Sequence, residues 1–80
     1  SDVYKRQIEE IIKKNKVIKG YKDIKGRKSG QYKDIELTLL FNPDMKLCCC
    51  HNICDQIENE IKASLGNVTI VTHAEPEVLV

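Results

Sequence analysis

The hydrophobic positions of the chain divide it into two helical and three extended segments. Ile8, Ile11 and Ile12 recur at helical spacing with charged residues between them, which predicts an amphipathic helix that ends near Asn15. Residues 17–27 have the mixed polarity of a half-buried strand, so we expect a first strand there.

The clearest strand covers residues 32–41, where apolar and polar side chains alternate. The segment 28–31 predicts the turn before it, and Asn42-Pro43-Asp44 predicts its end, because proline cannot continue a ladder of hydrogen bonds. A hairpin of two antiparallel strands is therefore expected.

A second helix is predicted over residues 46–65, followed by a stop at Gly66-Asn67. Its buried stripe consists of apolar residues spaced by three or four positions: Leu47, Cys50, Cys54, Ile57, Ile61 and Leu65. Residues 68–72 are rich in β-branched side chains and predict a third strand, which the segment 73–76 should end.

The resulting order, α-β-β-α-β, predicts an α+β fold: a ferredoxin-like (metallochaperone-like) two-layer sandwich. A right-handed crossover makes the second and third strands parallel, so the sheet is three-stranded and mixed, with both helices on one face. The other face remains available for a partner, and an identical copy is the simplest choice.

Charge is distributed unevenly along the chain. Residues 1–35 hold eleven Lys or Arg against five Asp or Glu, a net of +6, whereas residues 36–80 hold two against seven, a net of −5. The basic half suits a solvated surface or an anionic membrane surface. Nucleic-acid binding is not expected, because the chain has no Trp, a single Phe and no aromatic platform among the lysines.

Four cysteines, at positions 48, 49, 50 and 54, lie within one predicted helix. Adjacent cysteines are poorly placed to bridge one another, so a secreted disulfide framework is not expected and a reducing cytoplasm fits better.

Candidate metal ligands occur in two places. On the second helix, Cys48, His51 and Asp55 share one flank, and a thiol, an imidazole and a carboxylate are donors that a zinc-type ion accepts. His73 and Glu75 should share one face of the third strand's end. The alternative for both groups is an ordinary surface pair with packed cysteines.

No catalytic motif is present: the chain shows no nucleophile elbow, P-loop or glycine fingerprint, so we do not expect an enzyme. It also has no run of 18–20 apolar residues that would span a bilayer, so this piece is expected to be soluble.

Three segments of the chain resemble, in the right order, the motifs of the cation diffusion facilitator family of metal exporters. They are the strand and turn Val17-Ile18-Lys19-Gly20-Tyr21-Lys22-Asp23-Ile24-Lys25-Gly26-Arg27-Lys28-Ser29-Gly30, the helix His51-Asn52-Ile53-Cys54-Asp55-Gln56-Ile57-Glu58-Asn59-Glu60-Ile61 and the closing Val71-Thr72-His73-Ala74-Glu75-Pro76. The resemblance is to the cytoplasmic C-terminal domain and covers nearly everything after residue 8.

The resemblance implies a homodimerising cytoplasmic domain, joined to a transmembrane domain that exchanges protons for Zn²⁺ or a related divalent cation. It implies residues 8–76 as the dimerisation domain and 77–80 as a tail, on the cytoplasmic side of the cell membrane in an integral membrane protein. Residues 1–7 resemble translated sequencing-adapter DNA and are expected to be non-native.

Ligand positions carried over from the family fall on His51, His73 and Glu75. Two further positions depart, because Lys22 and Thr38 stand where the family's motifs have histidine. A lysine ammonium beside a cation site repels the ion. Two outcomes remain open: one weak site that His51, His73 and Glu75 form with help from Cys48, or no site.

Our leading hypothesis is therefore a regulatory, metal-sensing dimerisation domain of a divalent-cation exporter. The alternatives are a structural dimerisation module without a metal response and a free-standing metallochaperone-like protein.

Overall fold

The computed structural model of the chain describes residues 3–78, which form two helices and a three-stranded sheet in the predicted order. The elements are α1 (Val3–Lys14), β1 (Gly20–Ser29), β2 (Tyr32–Phe41), α2 (Leu47–Leu65) and β3 (Val68–Pro76). The sheet order is β1-β2-β3, with β1 antiparallel and β3 parallel to the central β2. The predicted mixed sheet and crossover are confirmed.

The core lies between the sheet and the two helices. Alternate residues of β2 point into it because side chains on a strand change face at every position. Its buried members are Ile8, Ile12, Ile35, Leu37, Leu39, Phe41, Cys50, Cys54, Ile57, Ile61 and Ile70. Burial of each large aliphatic side chain contributes about 1.5–3 kcal/mol, which makes this layer the main source of stability.

The predicted apolar stripe of α2 is correct except at its first member. Leu47 is 81% exposed, because the helix begins at this residue, beyond the edge of the core. The helix ends at Leu65, before the expected stop at Gly66, which has a positive φ of 82° and donates its N–H to the Lys62 carbonyl.

The turn before α2 is also built as predicted. The Asp44 N–H donates to Asn42 Oδ1 at 2.8 Å, and the Met45 N–H donates to the Asn42 carbonyl at 3.0 Å. These hydrogen bonds form a turn that ends β2 and reverses the chain toward α2.

Two strand boundaries differ from the prediction. β1 begins at Gly20 rather than at residue 17, because the Asn15 side chain accepts the Val17 N–H in a turn. β3 does not end at residue 72 but continues through His73 to Pro76. The proline is tolerated because it ends a strand at the sheet's edge, where a missing N–H leaves no partner unpaired.

A bulge in β1 decides which of its side chains face away from the helices. Lys22 pairs with Thr38 and Lys25 pairs with Glu36, so two residues of β1 lie opposite one residue of β2. Asp23, one of the two, has a φ of 57°, a left-handed conformation that Asp tolerates better than most residues. Because of the bulge, Lys22 and Lys25 share one face of the sheet.

We call the sheet face opposite the helices the open face. From the register and the burial pattern, its side chains are Lys22, Lys25, Arg27, Asp34, Glu36, Thr38, Leu40, Thr69, Val71, His73 and Glu75. Neither helix covers it, as predicted, but most of its side chains are polar or charged. Polar and apolar residues alternate along each strand, and the polar ones face this side of the sheet. Only Leu40 and Val71 on this face are aliphatic.

The segment expected to be non-native is part of α1 from residue 3 onward. The Lys33 ammonium lies 4.2 Å from the centre of the Tyr4 ring. The non-native origin of residues 1–7 stays a prediction. Residues 1 and 2, and residues 79 and 80 of the predicted tail, lie outside the described residues.

Candidate metal centre

The predicted ligands on α2 form a partial cluster on the helix surface. His51 Nε2 lies 3.7 Å from Asp55 Oδ2, one helical turn away, and both side chains are largely exposed. Cys48 is exposed in the first turn of the helix. Its thiol hydrogen-bonds that of Cys49, and this bond, more than the nearby charge, raises the pKa of Cys49.

The other two cysteines belong to the core rather than to this surface. Cys50 and Cys54 are buried between α2 and the sheet. Burial raises the pKa of Cys54 above its ordinary value, so the thiol stays neutral at physiological pH. These two side chains are hydrophobic packing residues.

The predicted ligands on β3 lie on the open face. His73 Nε2 is 2.8 Å from Glu36 Oε2 on β2, and both side chains are about half exposed. The parallel register explains the contact: His73 pairs with Thr38, and Glu36 lies two residues earlier on the same side of β2. An imidazole and a carboxylate thus meet across two neighbouring strands.

Glu36 is not one of the metal ligands that the sequence predicts. The alternation of β2 placed it on the polar side of that strand, which was a readable signal. What the sequence did not give was the register between β2 and β3, and without it the pairing with His73 could not be recognised.

Glu75 shares the open face with His73, as predicted, but its carboxylate is paired with a cation. Lys22 Nζ lies 2.9 Å from Glu75 Oε1, with 49% and 47% of the two side chains exposed. The hydrogen bond from Lys22 to Glu75, and then the charge of that carboxylate, raise the pKa of Lys22, which keeps the ammonium protonated.

Thr38 lies between these pairs, in register with Lys22 on one side and His73 on the other. Although it is on the open face, Thr38 is only 5% exposed. The two flanking side chains account for this, because each can cover the short threonine. Lys22, Thr38 and His73 therefore form one row across all three strands.

Asp34, at the other end of the open face, also has polar partners. Asp34 accepts a hydrogen bond from the Thr69 hydroxyl and lies 3.9 Å from the Arg27 guanidinium. Basic residues line β1 and acidic residues line β2 and β3, so charges on the open face largely neutralise one another.

The structure separates the ligands that the resemblance combined. His51 lies on the helical layer, whereas His73 and Glu75 lie on the opposite side of the sheet. Within residues 3–78, no three His, Cys, Asp or Glu side chains come together as a group that could hold a metal ion. The assignment of His51, His73, Glu75, Cys48 and Asp55 as ligands stays a prediction.

The donor chemistry of the open face nevertheless suits a transition metal. Imidazole nitrogen and carboxylate oxygen are ligands of zinc and its neighbours, and zinc requires at least three protein donors in most sites. His73 and Glu36 supply two donors in contact, whereas the Glu75 carboxylate is paired with Lys22. The residues fit an incomplete site within one chain.

A model of the protein family described as "cation efflux protein, cytoplasmic domain" matches residues 1–77. Among the curated proteins, no sequence matches the chain. None of the helices in residues 3–78 is long and apolar enough to cross a membrane.

Solved structures with the same fold include three metal forms of MamM CTD variants. The nickel form has a TM-score of 0.88 at 14% sequence identity, covering 98% of this chain and 100% of that one. The copper form has a TM-score of 0.87 at 15% identity, and the cadmium form 0.87 at 17%; both cover 96% of this chain and 98% of theirs.

Proposed function

The chain belongs to the family of cation efflux protein cytoplasmic domains, and from this membership we propose that it is the regulatory, metal-sensing dimerisation domain of a proton-coupled exporter of Zn²⁺ or a related divalent cation. It acts on the cytoplasmic side of the cell membrane, attached to the transmembrane domain of the same transporter. Two copies associate, and metal binding on the open face changes how they associate.

The observation that carries the metal-sensing part is the contact between His73 and Glu36. The two side chains come from different strands and place a nitrogen and an oxygen donor 2.8 Å apart, close enough to bind one ion together. Structures of MamM CTD variants with the same fold are described as nickel, copper and cadmium forms, which supports the same role here.

The charge balance of the open face supplies the coupling. Binding a divalent cation at His73 and Glu36 adds two positive charges to a surface whose own charges nearly cancel. Any second copy placed near this face then meets a different potential. The size of the response is limited by the difference between the metal affinities of the two dimer arrangements, typically 1–3 kcal/mol.

Sedimentation velocity over a series of chain concentrations tests the proposal, with the reduced protein in EDTA and in excess zinc. We expect zinc to change the dimer dissociation constant by about tenfold, a coupling of about 1.4 kcal/mol. His73→Ala and Glu36→Gln should each reduce this change to less than about twofold.

His51→Ala is the matched control, because it removes an exposed imidazole from the other side of the sheet. It should retain the zinc response. If both histidine variants lose the response, the ligand set extends to His51 on α2, which is one of the two outcomes that the sequence leaves open. If the unaltered chain shows none at saturating zinc, the metal-sensing part of the proposal is wrong.

A second candidate function is a dimerisation domain without a metal response. The ion pair between Lys22 and Glu75 favours it, because a built-in ammonium already neutralises Glu75, one of the predicted metal ligands. A zinc-independent dimer constant in every variant would support this candidate.

A further inference from the structure

Two consecutive cysteines, Cys48 and Cys49, are exposed in the first turn of α2, and we call them the exposed thiol pair. Cysteine is among the residue types that are most often fully buried. The other two cysteines of the helix, Cys50 and Cys54, follow that tendency, whereas neither member of the exposed thiol pair belongs to the core. Packing therefore does not account for the exposed thiol pair.

The two sulfur atoms of the pair lie close together. The Cys48 thiol hydrogen-bonds that of Cys49. Consecutive Cα atoms are about 3.8 Å apart, so both short side chains can reach one point just outside the helix. The same closeness disfavours a disulfide between them, because a disulfide usually needs Cα atoms about 4.4–6.8 Å apart. Both sulfur atoms are thus available together to a ligand from solvent.

Other donors do not complete a larger site around the pair. His51 Nε2 lies 3.7 Å from Asp55 Oδ2, further along the helix. Within residues 3–78, no three His, Cys, Asp or Glu side chains come together as a group that could hold a metal ion. Zinc takes at least three protein donors in most sites, so two thiols do not suit it. They suit a soft ion whose coordination is complete with two ligands.

We propose that Cys48 and Cys49 form a two-coordinate site for monovalent copper, Cu(I). This ion is soft and prefers thiolate sulfur, and two sulfur atoms on opposite sides of it complete its coordination. On binding, two S–H bonds break, two S–Cu bonds form, and two protons pass to the solvent. Copper stays monovalent, so the step needs no oxidant or reductant.

The position of the pair at the beginning of α2 favours the bound state. Two thiolates and one Cu(I) ion together have one net negative charge, and the N-terminus of a helix is the positive end of its dipole. Residues 47–50, which the structure describes in full, include no acidic side chain. Lys46, the residue before the helix, adds a positive side chain on the same side.

This site is separate from the open face. The exposed thiol pair belongs to the helical layer, whereas His73 and Glu36 lie on the opposite side of the sheet. The inference therefore does not depend on the proposed function. A domain with both sites separates a soft monovalent ion from a divalent one by the type of donor, and the two ions do not compete for the same side chains.

Competition with the coloured Cu(I) chelator bicinchoninate, under anaerobic conditions and with the reduced chain, tests the inference. We expect one Cu(I) ion per chain to pass from the chelator to the protein. Cys48→Ser and Cys49→Ser should each weaken binding by about a hundredfold or more, because a hydroxyl oxygen is a poor ligand for a soft ion. Both positions are exposed, and circular dichroism would confirm that the variants retain the fold.

Cys54→Ala is the matched control, because it removes one thiol from the same helix, but a buried one. It should change the Cu(I) affinity by less than about twofold, since it shares no partner with the exposed thiol pair. His51→Ala should also retain the affinity. In the unaltered chain, Cu(I) should protect Cys48 and Cys49 from iodoacetamide, which mass spectrometry of the peptides measures at each residue.

Three results would overturn the inference. The first is Cu(I) binding that survives either serine substitution or leaves both exposed thiols open to iodoacetamide. The second is one ion for every two chains, because thiols from two copies would then share it. The third is a loss in His51→Ala as large as in the serine variants, which would indicate an imidazole ligand. None of these results changes the zinc response of the dimer, which depends on His73 and is measured separately.

Discussion

The substitution Ile57→Ala should remove a large part of the stability of this domain. Ile57 is fully buried, in the middle of the stripe that α2 presses onto the sheet. Replacing a buried isoleucine by alanine typically costs 2–5 kcal/mol, from lost burial and from the cavity that remains. Alanine is the better helix former, so the helix itself does not account for the loss.

The expected cost is about 3 kcal/mol, because the site lies between two layers that collapse only partially. A chain of 80 residues has a total unfolding free energy of about 4–12 kcal/mol. The Ile57 side chain alone therefore accounts for a substantial fraction of the stability. Urea unfolding followed by circular dichroism measures the change. With a slope of about 1.5 kcal/mol per molar, the midpoint should fall by about 2 M.

Leu47→Ala is the matched control, an aliphatic residue at the exposed beginning of the same helix. It should change stability by less than about 0.5 kcal/mol at low chain concentration. A dimer makes the midpoint depend on concentration, so both variants are compared at several concentrations. An Ile57→Ala cost below about 1 kcal/mol would refute the core described here.

The cysteines provide two further predictions. In the folded, reduced chain, a thiol reagent such as iodoacetamide should modify Cys48 and Cys49 quickly, and should reach Cys50 and Cys54 only on unfolding; mass spectrometry of the peptides counts the modified sites. Because burial raises the pKa of Cys54 above that of the unfolded chain, its proton is held more tightly in the fold. Its contribution to stability is complete below the unfolded pKa, near 9, and is lost as the pH rises through the folded pKa. The urea midpoint should therefore fall above pH 9, and less steeply in Cys54→Ala; an equal slope in that variant would contradict this assignment.

Most of the fold follows from periodicity, because α2 and β2 contrast apolar and polar positions strongly. The extension of β3 beyond residue 72 could not be predicted in this way, since the residues from His73 to Pro76 have the composition of a turn. In the structure they continue the alternation, with His73 and Glu75 on the open face and Pro76 at the strand's end. Hydrogen bonding to β2 holds these residues in a strand although their local propensity favours a turn. The sequence of one strand does not show which other strand it pairs with.

The bulge in β1 escaped prediction for a different reason. Without it, Lys25 would face the helices and Ile24 the solvent, so the bulge corrects the pattern by one residue. Its signal is Asp23 in a left-handed conformation, but aspartate occurs in many ordinary strands and turns. The position of Lys22 relative to Glu75 therefore depends on register in both ladders, which sequence spacing does not contain.

The contrast between the two sheet faces explains why the candidate metal centre could be predicted only in part. On the side of the sheet that faces the helices, the sequence determines the position of each side chain, because a shift of one residue would move a buried isoleucine into solvent. On the open face, charged side chains are long and hydrated, and several partners are nearly equal in energy. The sequence singles out His73 and Glu75 as candidate donors, but it does not show which side chains they contact on the open face. Small changes of partner, such as Lys22 leaving Glu75, therefore cost little, and this is the property that a surface needs if it is to respond to an ion without unfolding the domain.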